Sequence, residues 1–401
     1  MTAAFIELGL LDALAEGLKK QGIENPTDIQ LKAIPPALEN KDIIGQSQTG
    51  SGKTLAYLLP IFQKVDSSKR EMQAIVLAPT HELVMQIDKQ IKTLAENSGI
   101  PVTSLPVIGQ VNIERQIEKL REKPHIIVGS AGRILELIKR KKISAHTVKT
   151  IVIDEGDRML DINNAGNVKD IIKTTMRDRQ LMLFSATIND RTMSLSKELM
   201  KEVVVLKSDA QQKLNQQVEH FYFLAEQRDK IEVLRKLVAS IKPQRAIVFI
   251  NKSDEIDILT SKLKFHKLNA ESIYGAAEKE DRKKALEGFR TGKVQLLVAS
   301  DLAARGLDIQ DVTHIFNMDL PEDPKEYLHR AGRTGRMEKE GTVFSIVTEK
   351  EIAQIKKYEN TFGVSILPKE IYTGEIMDPD QKKSLGNKRP VQKKKTPKKK
   401  A

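Results

Sequence analysis

Short apolar runs without alternation punctuate the first half of the chain: Ala74-Ile75-Val76-Leu77, Ile126-Ile127-Val128, Ile151-Val152-Ile153 and Leu181-Met182-Leu183-Phe184. Such runs suit parallel strands buried on both faces, because a strand with one wet face alternates instead. Between them, residues 82–95 and 114–121 carry apolar positions at helical spacing. Strand and helix in alternation predict a doubly wound α/β layout. The pattern breaks at the polar, Gln-rich stretch 208–217 and then restarts, with a second strand series at 246–250, 271–274, 295–299 and 343–346. The expected organisation is an α/β domain over 1–207, a linker over 208–217, a second α/β domain over 218–370 and a tail over 371–401.

The length of 401 residues supports this division, since a single core rarely grows beyond about 250–300 residues. No apolar run approaches the roughly 18 residues of a membrane span, and the first residues show no signal-peptide pattern. The chain has no cysteine, which excludes disulfides and thiolate metal sites and fits a reducing cytoplasm; a monomer is expected.

Charge is uneven. The formal net charge is +12, and ten basic residues with no acid lie between Lys382 and Lys400, so the rest of the chain carries 12 − 10 = +2. Affinity for polyanions is therefore expected in the tail. Residues 371–401 are expected to be disordered and to tether a polyanion with a strong salt dependence; a solubilising terminus or a nuclear address are the other readings. Aromatic residues make up 4% of the chain and Trp is absent, which favours contact with phosphates over stacking of bases.

The chemistry is concentrated in two segments. Ser47-Gln48-Thr49-Gly50-Ser51-Gly52-Lys53-Thr54 follows Ile43-Ile44 and precedes the helical Leu55-Ala56-Tyr57-Leu58-Leu59. This is the strand–loop–helix setting of a phosphate loop. The backbone of Thr49, Gly50, Ser51 and Gly52 would surround phosphate oxygens, Lys53 would reach the outer phosphates, and Thr54 would hold Mg²⁺. Ser47 stands where the pattern has Gly. Asp154-Glu155-Gly156-Asp157 emerges from the apolar run 151–153. Asp154 there can complete the metal site and Glu155 can polarise water. ATP hydrolysis with Mg²⁺ is the expected reaction.

Further segments carry a family resemblance: Gly22 through Gln30 with Phe5 upstream, Pro79-Thr80-His81-Glu82-Leu83, Ser185-Ala186-Thr187, Ser300 through Asp308, and His329-Arg330-Ala331-Gly332-Arg333-Thr334-Gly335-Arg336. In this order they resemble a DEAD-box RNA helicase from Phe5 to about Ile346. The resemblance implies two RecA-like α/β domains, each a mostly parallel sheet covered by helices, and an ATP-dependent enzyme that closes on RNA and opens short duplexes. It implies that Phe5 and Gln30 select adenine and that Asp308 meets the ribose. Arg333 and Arg336 become arginine fingers in catalysis with Lys53 and Glu155, while Arg330 supports the site. Asp157, Ser185, Thr187 and His329 become the coupling between hydrolysis and RNA. RNA contact falls to Pro79, Thr80, Gly109, Gly132, Arg133, Arg282 and Ser300. Ribosome assembly or RNA turnover is the setting the resemblance suggests.

The chain departs from that pattern at several points. Gly156 replaces Ala, and Ile23 replaces an aromatic residue expected against adenine. On the RNA side His81 replaces Arg, Gln110 replaces Gly, Ser130-Ala131 replaces Thr-Pro, Tyr274-Gly275-Ala276 replaces His-Gly-Asp, Lys279 replaces Gln, and Ser300 replaces Thr. These departures keep two alternatives open: an ATP-gated RNA clamp of low turnover, and a DNA-directed ATPase, which the 2′-OH would discriminate.

Overall fold

The computed structural model describes residues 3–380 apart from 48–49, 110, 163, 209–216, 275–278, 305–308, 310 and 336–338. Its strands are β1 Ile43–Gln46, β2 Ala74–Leu77, β3 Ser104–Val107, β4 Ile126–Gly129, β5 Thr150–Asp154, β6 Gln180–Ser185 and β7 Val204–Lys207, then β8 Val218–Leu224, β9 Ala246–Phe249, β10 Ala270–Ile273, β11 Leu296–Ala299, β12 His314–Asn317, β13 Gly341–Val347, β14 Leu367–Pro368, β15 Glu370–Tyr372 and β16 Glu375–Met377. They fall into two compact units that divide between β7 and β8.

The first unit is a seven-stranded parallel sheet in the order β3-β4-β2-β5-β6-β1-β7. Its strands explain the unbroken apolar runs. Ala74, Val76, Ile126, Val128 and Val152 feed one core, while Ile75, Leu77, Ile127, Ile151 and Ile153 feed another. Successive residues point to opposite faces, and helices cover both. β3 contains Pro106 and lies at an edge of the sheet, where a missing N–H is tolerated. Helix His81–Ser98 is fixed at both ends: Thr80 Oγ1 accepts the Leu83 N–H at 3.2 Å, and Gly99 closes it at φ 72.

The second unit repeats the plan as β10-β11-β9-β12-β13-β8-β14, again parallel throughout. Ala246, Val248, Leu296, Val298, Phe316 and Ile346 form its main core. Parallel strand ends gather loops on one edge of each sheet, which is where ligands bind in such folds.

One boundary needs correction. The segment expected to be a disordered tail from 371 onward begins as structure: β15 and β16 form an antiparallel hairpin. Ile371 and Ile376 pack against the core of the second unit. Thr373 and Gly374 turn it with φ 49 and 87, the two positive values of a tight type I′ turn. Residues 381–401, and the linker residues 209–216, lie outside the described residues.

Candidate active site

β1 delivers the chain into the phosphate loop, and the Ser47 N–H continues the sheet by donating to Ser185 O at 3.0 Å. Gly50 and Gly52 adopt φ +85 and +88, which side-chain-bearing residues rarely enter. A Cβ on Gly52 would also stand 2.4 Å from Gln30 Nε2. Helix Lys53–Lys64 starts immediately after, so its open N–H groups and positive dipole end face the loop. Lys53 Nζ donates to Ser47 O at 2.5 Å, laying the ammonium across the loop. The Ser47 and Ser51 hydroxyls meet at 2.8 Å, which explains why a serine is accommodated at 47. Thr49 lies outside the described residues.

The acidic segment leaves β5 at Asp154, which is 4% exposed. Its Oδ1 accepts the Glu155 N–H and its Oδ2 accepts the Tyr57 hydroxyl, each at 2.9 Å. Burial pushes the Asp154 carboxyl up, against the pull of the Lys53 ammonium and the Tyr57 hydrogen bond. A carboxylate so desolvated gains from a nearby cation. Among the described residues no three His, Asp or Glu side chains could cage a metal. Mg²⁺ takes one or two protein oxygens and completes its octahedron with phosphates and water; Asp154 and Thr54 are the residues that would hold it.

Glu155 occupies the left-handed region at φ 50, ψ 54, a strained position of the kind that gathers at functional sites. It turns the chain into the short helix Gly156–Met159. A Cβ on Gly156 would come within 2.6 Å of Leu183 Cγ and Cδ2. Leu183 therefore fills the space of the missing methyl. Asp157 Oδ2 accepts the Thr187 hydroxyl at 2.6 Å, and Ser185 Oγ accepts the Asp157 N–H at 3.3 Å. The acidic segment and the end of β6 are thus one hydrogen-bonded unit.

The two residues expected on the adenine side are both buried. Gln30 is 1% exposed; its Oε1 accepts the Thr27 N–H at 2.9 Å and its Nε2 donates to Gly52 O at 3.0 Å. The amide braces the phosphate loop. Phe5 is fully buried in the first core, so it supports this segment by packing and presents no face for stacking.

The expected RNA residues are distributed over both units. Thr80 caps its helix, preceded by the half-buried Pro79. Arg133 Nη1 donates to Val111 O at 3.1 Å and its Nε pairs with Glu136 at 3.2 Å. Its guanidinium thus ties the segment after β3 to helix Ala131–Lys139 instead of standing in solvent. Gly132 lies in that helix, and space around Gly109 is open. In the second unit Ser300 Oγ accepts the Ala303 N–H at 3.4 Å and Arg282 donates to Ala303 O at 3.1 Å, so both hold the short helix Asp301–Ala304. Arg333 is 6% exposed and its Nε donates to His329 O at 3.2 Å. Asp308, Arg336 and Gln110 lie outside the described residues.

Arg330 is a structural hub. Only 1% exposed, it grips Asp301 through Nε and Nη2, both at 2.6 Å. It also donates to Asn317 Oδ1, Asp319 O and Asn251 Oδ1, and lies 4.9 Å from the Phe249 ring centroid. All five of its N–H donors are engaged. The sequence reading missed Tyr57, for which the only signal was a hydroxyl one helical turn after Thr54.

Residues 27–195 match the DEAD/DEAH box helicase family and residues 229–338 the helicase conserved C-terminal domain. The chain is 41% identical over 365 residues to the DEAD-box ATP-dependent RNA helicase CshC of Bacillus cereus, covering 91% of this chain and 93% of that one. It is 40% identical over 361 residues to the probable ATP-dependent RNA helicase YfmL of Bacillus subtilis, covering 90% and 95%. Among solved structures, S. cerevisiae Dbp5 bound to RNA and ADP BeF3 aligns with a TM-score of 0.84 at 28% identity, over 95% of this chain and 97% of that one. With both sheets, the phosphate loop and the acidic segment in place, the chain belongs to the DEAD-box family of ATP-dependent RNA helicases.

Proposed function

We propose that this chain hydrolyses ATP with Mg²⁺ in response to RNA and uses the cycle to separate short RNA duplexes locally. The observation that carries the reading is the hydrogen-bonded series in the first unit: Lys53 on the phosphate loop, Tyr57 to Asp154, and Asp157 to Thr187. An incoming phosphate replaces Ser47 O as the partner of Lys53, an exchange of one acceptor for a more negative one. Bound Mg²⁺ would neutralise charge developing on the outer phosphates. Glu155 accepts the proton of the attacking water, its carboxylate standing 3.6 Å from the Arg158 guanidinium. The Asp157–Thr187 bond links that event to the end of β6, and RNA contact is mainly to phosphates and 2′-hydroxyls.

A second reading, a clamp that closes on RNA with little turnover, is favoured by the internal ties of Arg133, which remove one cation from a free surface. Strand displacement of a short RNA duplex by the full chain, with Lys53→Ala beside it, decides. ATP-dependent displacement lost in the variant supports the helicase; RNA retention without displacement supports the clamp, and equal activity on DNA of the same length defeats RNA selectivity. We further place the protein in the cytoplasm as a monomer acting on ribosomal or messenger RNA, supported by the absence of cysteine and the basic C-terminus. Native mass spectrometry and crosslinking to cellular RNA test these assignments.

A further inference from the structure

Tyr57 is fully buried, yet it carries a hydroxyl. Its ring packs on Phe184 with centroids 5.5 Å apart, a contact that phenylalanine would make equally well. Burying the hydroxyl has a cost unless it finds a partner, and the partner is Asp154 Oδ2 at 2.9 Å. The other oxygen of the same carboxylate is held by the Glu155 N–H at 2.9 Å, a donor fixed by the chain itself. Tyr57 is therefore the side chain that sets how the Asp154 carboxyl plane stands. It belongs to helix Lys53–Lys64, one turn beyond Thr54 and on the same face. Helix and strand each bring one of the two residues that would hold Mg²⁺, and the Tyr57 hydroxyl joins them.

We propose that Tyr57 is a positioning residue for the metal site, holding Asp154 in register with the phosphate loop so that Mg²⁺ and nucleotide bind together. The proposal rests on the reading of this site as an ATP–Mg²⁺ site. Partners that orient metal-holding side chains typically change metal affinity 10–100-fold when removed.

The test is a Mg²⁺ titration of fluorescent mant-ADP binding to the full chain, for wild type, Tyr57→Phe and Phe184→Leu. Tyr57→Phe is expected to raise the Mg²⁺ midpoint about tenfold while leaving metal-free nucleotide affinity unchanged, and high Mg²⁺ should restore kcat. Phe184→Leu loosens the ring packing without touching the hydroxyl, and is expected to lower Tm while leaving the midpoint in place. An unshifted midpoint in Tyr57→Phe, or an equal shift in Phe184→Leu, overturns the positioning role. Nucleotide binding by wild type that ignores Mg²⁺ defeats the metal-site reading itself, and this inference with it.

Discussion

Restoring the alanine that the family pattern places at position 156 should destabilise this protein. Gly156 begins a helical turn, and its φ lies outside the left-handed region, so Gly156→Ala brings no backbone strain. Restricting the unfolded chain should contribute about 0.5–1 kcal/mol in its favour. Against that, the new methyl would lie 2.6 Å from Leu183 Cγ and Cδ2 and 2.9 Å from Cδ1. Cγ cannot be moved by a terminal rotation, so the whole fully buried side chain must shift within β6. Overpacking of this kind costs about 1–3 kcal/mol, leaving a net loss of roughly 0–2.5 kcal/mol. Leu183→Ala alone should cost about 2–5 kcal/mol by opening a cavity, but in that background Gly156→Ala should become stabilising. Native-state hydrogen exchange of peptides spanning β6 reads the opening energy of this region without requiring two-state unfolding of the whole chain. A Gly156→Ala change with the same sign in both backgrounds refutes the reasoning, because the coupling between the two positions would then be absent.

Other consequences can be checked on the same protein. Arg330→Lys cannot reproduce the five-donor fork around Asp301, Asn317, Asp319 and Asn251; it should cost about 3–5 kcal/mol in the second unit, and hydrogen exchange at β9 and β12 unchanged from wild type would contradict this. Burial lowers His220 from 6.5 to about 4, so the unfolded state binds the extra proton between those values. Stability should be complete above pH 6.5 and fall by about 3 kcal/mol as pH drops toward 4, a component that His220→Gln should remove from the pH dependence of second-unit melting. Gln30→Ala should lose both the brace on Gly52 and the Thr27 cap, costing about 1–3 kcal/mol and weakening ATP binding; full retention of both would show that the brace is dispensable.

The sheet interiors were legible because strands covered on both faces are buried at every position, as β2, β4, β5 and β6 are, and carry unbroken apolar runs, with polar residues in β5 and β6 only at the strand ends. Strands with another pattern escaped. β3 alternates and holds Pro106 at an edge, and β8 mixes buried and exposed positions beside the two-residue β14. The β15–β16 hairpin was hidden by the basic stretch that follows it, although Thr373-Gly374 between Ile371 and Ile376 is a turn signal. At the site, glycine and acid spacing identified the phosphate loop and Asp154, since those residues act through backbone shape and charge. The partners of Gln30, Arg133 and Tyr57 were not legible, because spacing names a residue's neighbourhood and not the atom its side chain reaches across the fold.

The most direct test of the account is steady-state ATP hydrolysis by the full chain, with and without RNA, beside Lys53→Ala. The account predicts strong stimulation by RNA that the variant loses entirely. Hydrolysis that no RNA stimulates, or that survives without the Lys53 ammonium, would contradict it.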